Sequence, residues 1–155
     1  VYNQANMVLV VLDNSTTAMT GHQPHPGTGR TVMGEIVQKI NIEQVLRGIG
    51  VTEIETINPL ELEASVSCVK RMAEKFGVRA IIFKAPCIAV TKPKAPLHVD
   101  QDSCIGCKKC IRDLGCPAIV MNDGKICIDA SMCTGCHLCS QVCPVCAIAG
   151  GDDYE

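Results

Sequence analysis

The 155-residue sequence contains no tryptophan, only two phenylalanines and two tyrosines, so aromatic side chains can form little of a core. It has no apolar run of the ~20 residues that a membrane-spanning helix needs, and no secretory signal peptide precedes the first polar loop. The net charge of −2 gives no reason to expect nucleic-acid binding. We therefore expect a cytoplasmic protein with neither a membrane nor a nucleic acid as partner.

Cysteine is the residue that the chain has in excess: ten of its twelve cysteines follow residue 100. The second of two cysteine runs reads C-x-x-C-x-x-C-x-x-x-C-P and ends at Pro144, and a similar run ends at Pro117. Two such runs in tandem are the ligand pattern of proteins that hold two 4Fe-4S clusters. The last third of the chain is therefore predicted to store electrons and to pass them on one at a time.

Two other uses of these cysteines remain open. Disulfides would suit a small secreted protein, but the close spacing and the α/β pattern upstream favour reduced thiols. A pair of structural zinc sites also uses C-x-x-C, yet zinc has no need of a third cysteine two residues further on or of the Cys-Pro that closes each run.

Crossed ligation follows from the tandem arrangement, because the cysteine before proline binds the other cluster in proteins with two such runs. The predicted ligands of the first cluster are Cys104, Cys107, Cys110 and Cys143, and those of the second are Cys133, Cys136, Cys139 and Cys116. The first run departs from the pattern, with five residues instead of three before its last cysteine. We expect a longer helix end or a bulge there. Cys127 and Cys146 are expected on apolar strands as small buried residues.

The first two thirds of the chain show an alternation of strands and helices. Residues 7–12, 51–57 and 78–84 predict strands, and 7–12 is a continuous apolar run of the kind found in a strand buried on both faces of a parallel sheet. Helical periodicity lies between them, with Asn41 and Asn58 as N-caps and with Phe76 in the apolar repeat of the second helix. The order β-α-β-α-β predicts a parallel sheet with helices on its faces. A long polar loop, 13–30, leaves the end of the first strand, where ligands bind in open α/β sheets.

This loop carries a resemblance to a known family. Leu12-Asp-Asn-Ser-Thr-Thr-Ala-Met-Thr-Gly-His-Gln23 resembles a loop in the thiamine diphosphate domain of 2-oxoacid:ferredoxin oxidoreductases. Its continuation, His22-Gln-Pro-His-Pro-Gly-Thr-Gly29, resembles more closely the large (alpha) subunit of the indolepyruvate ferredoxin oxidoreductases. The resemblance covers essentially the whole chain, including the two-cluster tail with its longer first spacing.

The resemblance implies a fold, an activity and a set of cofactors. The fold would be the C-terminal part of a thiamine-diphosphate-binding parallel α/β domain (1–90), a linker (91–96) and a two-cluster bacterial-type ferredoxin domain (97–155). The activity would be oxidative decarboxylation of arylpyruvates, above all indolepyruvate, with coenzyme A to the acyl-CoA and CO₂. Electrons would pass through two 4Fe-4S clusters to an external ferredoxin, and a smaller beta subunit would complete the enzyme.

The resemblance also implies roles for residues of the loop. Mg²⁺ would bridge the cofactor's diphosphate to the side-chain oxygen of Asn14 and the backbone carbonyl of Thr16, since Mg²⁺ prefers oxygen ligands. Asp13 would order the loop. Thr20, Gly21 and His22 would lie near the cofactor or the substrate, with His22 as a candidate catalytic proton donor.

The family's upstream Gly-Asp motif, which supplies a further Mg²⁺ ligand, is absent here. We therefore expect this chain to be a C-terminal piece of a larger subunit, inactive in isolation. The alternative interpretation is an electron-transfer module without catalysis of its own, whose α/β part serves as a docking platform.

Overall fold

The structure, a computed structural model, describes residues 1–17, 19, 21 and 23–150. The chain divides into two compact units, Val1–Thr91 and Lys92–Glu155. Among the described residues, no helix has both the length and the apolar character that a membrane span requires.

The first unit is a parallel sheet with a helix on each face. Its elements are β1 (Met7–Asp13), α1 (Ile42–Gly48), β2 (Glu53–Ile57), α2 (Leu62–Glu74), β3 (Val78–Lys84) and a short 3₁₀ helix (Ile88–Val90). The strand order is β1-β3-β2, and β3 pairs in parallel with both neighbours. The β-α-β-α-β prediction is therefore confirmed for these elements.

Alternate residues of the central strand β3 point to opposite faces and build two cores. Ala80 and Ile82 pack with Leu46 of α1 on one face. Ile81 packs with Cys68 and Met72 of α2 on the other face, and these three are almost completely buried. Burial on both faces explains the continuous apolar run at residues 80–83 of β3.

The two predicted helix starts have different outcomes. Asn41 caps α1 as predicted, its side chain accepting the N–H of Gln44 at 3.1 Å. The prediction for Asn58 is wrong, because α2 begins at Leu62 and has no side-chain cap. The Asn58 side chain instead accepts the N–H of Leu60 at 3.0 Å, which forms a local turn before the helix.

The end of α2 also differs from the prediction. The helix ends at Glu74, and Phe76 lies beyond it with 83% of its surface exposed. The chain has already become extended at Lys75, so helical spacing no longer directs Phe76 to the core. The second strand likewise starts at Glu53, two residues later than the apolar pattern suggested.

The second unit is an internal repeat of strand, cysteine loop, short helix and strand. The first half contains β4 (Leu97–Val99), α3 (Lys109–Leu114) and β5 (Ile119–Asn122). The second contains β6 (Lys125–Ile128), α4 (Leu138–Val142) and β7 (Ile148–Gly150). Antiparallel pairing joins β4 to β7 and β5 to β6, so each half contributes one strand to each pair.

A tight turn joins the two halves. Asp123 and Gly124 both have positive φ, at 48° and 77°, and they connect β5 to β6 directly. Two central residues with positive φ form a type I′ turn, whose twist matches that of paired strands. The Asn-Asp-Gly signal therefore predicted the hairpin for the correct physical reason.

Candidate cofactor sites

Four cysteines from both runs line one cavity of the second unit. The cysteines are Cys104, Cys107, Cys110 and Cys143, and the remaining lining is mostly apolar, including Val99, Ile126, Val145 and Ile148. Cys143 belongs to the second run, so the fold brings it to the three close cysteines of the first. Four thiols around an apolar cavity are a donor set that suits a 4Fe-4S cluster.

The second group is recognised from the electrostatics of Cys139. Burial, and after it the negative charges of Cys136, Cys133 and Cys116, together raise the pKa of this thiol to about 11. Such charge effects require that the four groups lie close together. Cys116 comes from the first run, so the structure also brings together the four cysteines predicted for the second cluster.

Burial also raises the pKa of Cys110 in the first group, and Cys107 and Cys143 contribute in the same direction. In the absence of iron, each of these two buried thiols is thus more difficult to deprotonate than an ordinary cysteine. Iron ligation requires thiolates, so cluster binding must supply the free energy that keeps these groups charged.

Residues with a left-handed backbone conformation orient the cysteines of each run. In the first run Gly106 and Lys108 have φ of 65° and 58°, and in the second Gly135 and His137 have 68° and 60°. The residue after each turn starts a short helix, which buries Cys110 in the first case and Cys139 in the second. The matching conformations show that the two loops are structurally equivalent.

The extra length of the first run is divided between helix and turn. Helix α3 has six residues and α4 has five, and Gly115 adds a left-handed residue before Cys116. The chain thus follows the predicted longer helix end.

Backbone N–H groups donate to one thiol of each group. Leu97 N–H donates to Cys133 Sγ at 3.4 Å, and Ala147 N–H donates to Cys143 Sγ at 3.3 Å. Hydrogen bonds to cluster sulfurs stabilise negative charge and so favour the reduced state. Leu97 lies on β4 and Ala147 lies directly before β7, so both donors lie outside the cysteine runs.

All twelve cysteines are free thiols. Within the part of the chain that the structure describes, no three His, Cys, Asp or Glu side chains converge closely enough to hold a single metal ion. A tetrahedral zinc would need its thiolates around one point. The irons of a cubane, in contrast, occupy separate corners and take thiolates that stand apart.

The four remaining cysteines differ in their surroundings. Cys127 lies on β6 and is half-buried, whereas Cys146 is exposed and lies outside any strand, so the expectation of a buried strand position is wrong for Cys146. Its φ of 52° turns the chain between Pro144 and β7, which directs the thiol outward. Cys68 is fully buried and Cys87 half-buried.

A second candidate site lies at the carboxyl edge of the parallel sheet. An open cleft of about 380 Å³ is lined there by the ends of all three strands, represented by Asp13, Thr56 and Lys84. The start of α1 and residues Gly27 and Lys39 complete it. Ligands in open α/β sheets bind at such an edge. Lys39, Thr56 and Lys84 were not singled out from the sequence, although Thr56 and Lys84 lie at the ends of predicted strands.

The loop that enters this cleft is held by two successive side-chain turns. Asp13 Oδ1 accepts the N–H of Ser15 at 3.1 Å, and Asn14 Oδ1 accepts the N–H of Thr16 at 3.2 Å. The backbone carbonyl of Asn14 also accepts the N–H of Cys87 at 2.9 Å. Asp13 therefore orders the loop, and the segment after β3 fixes its start.

The two residues predicted to bind Mg²⁺ through oxygen atoms differ in their exposure. Asn14 is exposed, and its amide oxygen has a second lone pair beyond the one that accepts the Thr16 N–H. Thr16 is buried, with 8% of its surface exposed. Gly21 is exposed and has a φ of 91°, while Thr20 and His22 lie outside the described residues. His25 accepts the N–H of Gly27 through Nδ1, which ties it to its own turn.

Comparison with known families matches both units. Residues 1–83 match the model of the thiamine pyrophosphate enzyme, C-terminal TPP binding domain. The chain belongs to this family. Residues 97–144 match a 4Fe-4S dicluster domain. The predicted fold class, a thiamine-diphosphate-binding α/β part followed by a two-cluster ferredoxin-type part, is thereby confirmed.

The chain is similar over nearly its whole length to subunits named indolepyruvate oxidoreductase subunit IorA. It is 45% identical to that of Methanothermobacter thermautotrophicus over 96% of this chain, and 40% identical to that of Archaeoglobus fulgidus, also over 96%. The one from Thermococcus kodakarensis is 40% identical over 93%. The chain spans about a quarter of the length of these curated relatives, namely 24%, 25% and 24%. No solved structure matches.

The equivalent glycines of the two loops provide a matched test of the structure. We expect Gly135→Ala to prevent assembly of the second cluster, because its Cβ would lie 2.6 Å from Lys94 Cβ and 2.7 Å from the Ala95 carbonyl oxygen. Gly106→Ala bears the same left-handed strain but meets nothing within 4 Å, so it should keep both clusters. Iron content and EPR of the reduced proteins measure the outcome. Equal loss in both variants would contradict the packing of the second loop.

Crossed ligation makes a separate prediction. Cys143→Ala should remove the cluster held by Cys104, Cys107 and Cys110, while Cys116→Ala should remove the other. EPR of each reduced variant identifies the surviving signal, and Cys146→Ala, outside both ligand sets, serves as the control. Loss of only the second-run cluster from Cys143→Ala would refute the assignment.

Proposed function

We propose that this chain is part of a thiamine diphosphate-dependent indolepyruvate:ferredoxin oxidoreductase. The proposed reaction is oxidative decarboxylation of an arylpyruvate with coenzyme A to the acyl-CoA and CO₂. The observation that supports it best is the joining, in one chain, of a thiamine pyrophosphate-binding unit to two sets of four thiols. The similarity to indolepyruvate oxidoreductase subunits suggests the substrate class.

The division of labour follows the two units. We propose residues 1–90 as the cofactor-binding part, 91–96 as a linker and 97–155 as the part that holds the clusters. Bound thiamine diphosphate supplies the electron sink that makes decarboxylation of a 2-oxo acid possible. Two electrons would leave singly through the two clusters to an external ferredoxin. The full-length subunit, a smaller beta subunit and a cytoplasmic location complete the proposal.

Residues at the carboxyl edge of the sheet would hold Mg²⁺ and the diphosphate. The Asn14 side-chain oxygen and the Thr16 carbonyl are the proposed Mg²⁺ ligands, and Asp13 keeps their loop in place through its bond to Ser15. Lys39 and Lys84 line the cleft together with Asp13 and Glu43, whose charges balance theirs, and the two lysines would be the groups there that contact the diphosphate. Thr20, Gly21 and His22 remain predicted neighbours of the cofactor or the substrate.

The function is tested with the anaerobic full-length protein and its partner subunit. Addition of indolepyruvate with Mg²⁺, thiamine diphosphate and coenzyme A should bleach the visible cluster absorbance. Omission of either indolepyruvate or thiamine diphosphate should abolish the bleaching. Clusters that bleach with dithionite but respond to no 2-oxo acid would favour the alternative, an electron-transfer module without catalysis.

The Mg²⁺ role of Asn14 predicts a specific binding defect. Asn14→Ala in the full-length protein should weaken thiamine diphosphate binding about tenfold or more, because a metal ligand is lost, and should leave the iron content unchanged. Asn14→Asp retains the oxygen and should keep most of the affinity. Calorimetric titration of the cofactor at several Mg²⁺ concentrations measures both. An unchanged affinity in Asn14→Ala would count against this ligand.

A further inference from the structure

The two cysteine loops are equivalent in conformation but differ in how much of them is covered. Residues 105–109 of the first loop are all exposed, and they include the cluster ligand Cys107 and the apolar side chain of Ile105, 65% of whose surface is free. Residues 134–138 of the second loop are all buried or half-buried. The first group therefore has a fully exposed cysteine, Cys107, whereas the cysteines of the second group are half-buried or buried.

A contact within the second unit explains the difference. The segment that precedes β4 crosses the second loop, where Lys94 N–H donates to the Thr134 carbonyl at 3.3 Å. A side chain at Gly135 would collide with Lys94 and Ala95, whereas one at Gly106 would meet nothing. The covering segment thus lies over one loop only, although the loops are otherwise alike.

The two loops also differ in charge. Residues 105–114 contain three cations, Lys108, Lys109 and Arg112, and one carboxylate, Asp113, which gives a net charge of +2. Residues 134–143, their counterpart, contain no Lys, Arg, Asp or Glu. All three cations are exposed. The first loop thus carries a local positive charge in a chain whose net charge is −2, and the second loop does not.

We propose that the exposed first loop, residues 105–112, is the docking face for an acidic electron-carrier protein. The inference rests on the proposed electron route and adds which cluster hands the electron over. Ile105 supplies the apolar contact at the centre, and the cations around it attract and orient the partner. One electron leaves the reduced first cluster through the ligand side of Cys107 and enters the oxidised carrier, so the cluster returns to its oxidised state.

The test measures electron transfer without the substrate reaction. The full-length holoprotein is photoreduced, mixed in a stopped-flow instrument with oxidised flavodoxin, an acidic one-electron carrier, and followed by the flavin semiquinone absorbance. The electrons come from a sacrificial amine donor such as EDTA, which a photoexcited deazaflavin oxidises, and not from a 2-oxo acid. A failure of the proposed decarboxylation therefore leaves this measurement intact. EPR of each variant verifies that both clusters are present.

Charge reversal should slow this reaction selectively. Lys108→Glu/Lys109→Glu should reduce the second-order rate constant about tenfold at low ionic strength, and the difference should vanish near ~1 M salt, where screening is nearly complete. Lys70→Glu/Lys125→Glu changes the net charge equally on exposed residues elsewhere and should have a much smaller effect. Because Lys108 has a left-handed backbone conformation, a second pair, Lys109→Glu/Arg112→Glu, repeats the test at two helical positions of α3.

Three results would overturn the proposal. Equal rate constants for the wild-type protein and the loop variants would show that carriers dock elsewhere or that the rest of the subunit covers the loop. An equal slowing by the loop pair and by the distant pair would show that only net charge matters. A cationic carrier such as cytochrome c should react faster with the loop variants than with the wild type, and a slower reaction would also contradict the proposed face.

Discussion

A cubane cluster presents its four irons at separate corners, and this geometry governs the second unit. A C-x-x-C-x-x-C run can reach three corners, but the fourth ligand must come from elsewhere in the chain. In this protein the fold places Cys143 with the close cysteines of the first run and Cys116 with those of the second, which supports a fourth ligand from the other half of the repeat. With that ligation neither half completes its own site, so folding of the unit and assembly of the ligands are coupled.

The strand pairs show how the chain meets this requirement. Pairing of β4 with β7 joins the beginning of the unit to its end, and the turn at Asp123 and Gly124 joins the middle. The same pairing positions the N–H groups that donate to Cys133 and Cys143. The two halves differ in exposure, because the segment before β4 covers the second cysteine loop and leaves the first one open.

The first unit meets a different constraint with a parallel sheet. Parallel pairing brings the carboxyl ends of β1, β2 and β3 to one edge, where Asp13, Thr56 and Lys84 line a common cleft. A helix packs on each face, so the edge is the part of the sheet left available for a ligand.

Many features of this protein could be predicted from short stretches of sequence, because neighbouring residues decide them. Cysteine spacing identifies the clusters, continuous apolar runs identify buried strands, and the Asp-Gly pair identifies the hairpin. Errors arose where local signals competed: Asn58 bonds its own turn rather than the helix, and Phe76 lies one residue beyond the point where the backbone leaves the helix. Cys146 was predicted to lie on a strand, but its own backbone is left-handed, and this conformation turns it to the surface.

Cysteine spacing, strand and helix periodicity and the polar loop were enough to predict the iron ligands, a parallel sheet and the family, because each of these signals lies within a short stretch of the chain. The covering of one cysteine loop, the Leu97 N–H that reaches Cys133 and the place of Lys39 in the cleft became visible only in the fold. Each of these features brings together segments that are distant in sequence, and a local pattern does not specify which distant segments meet.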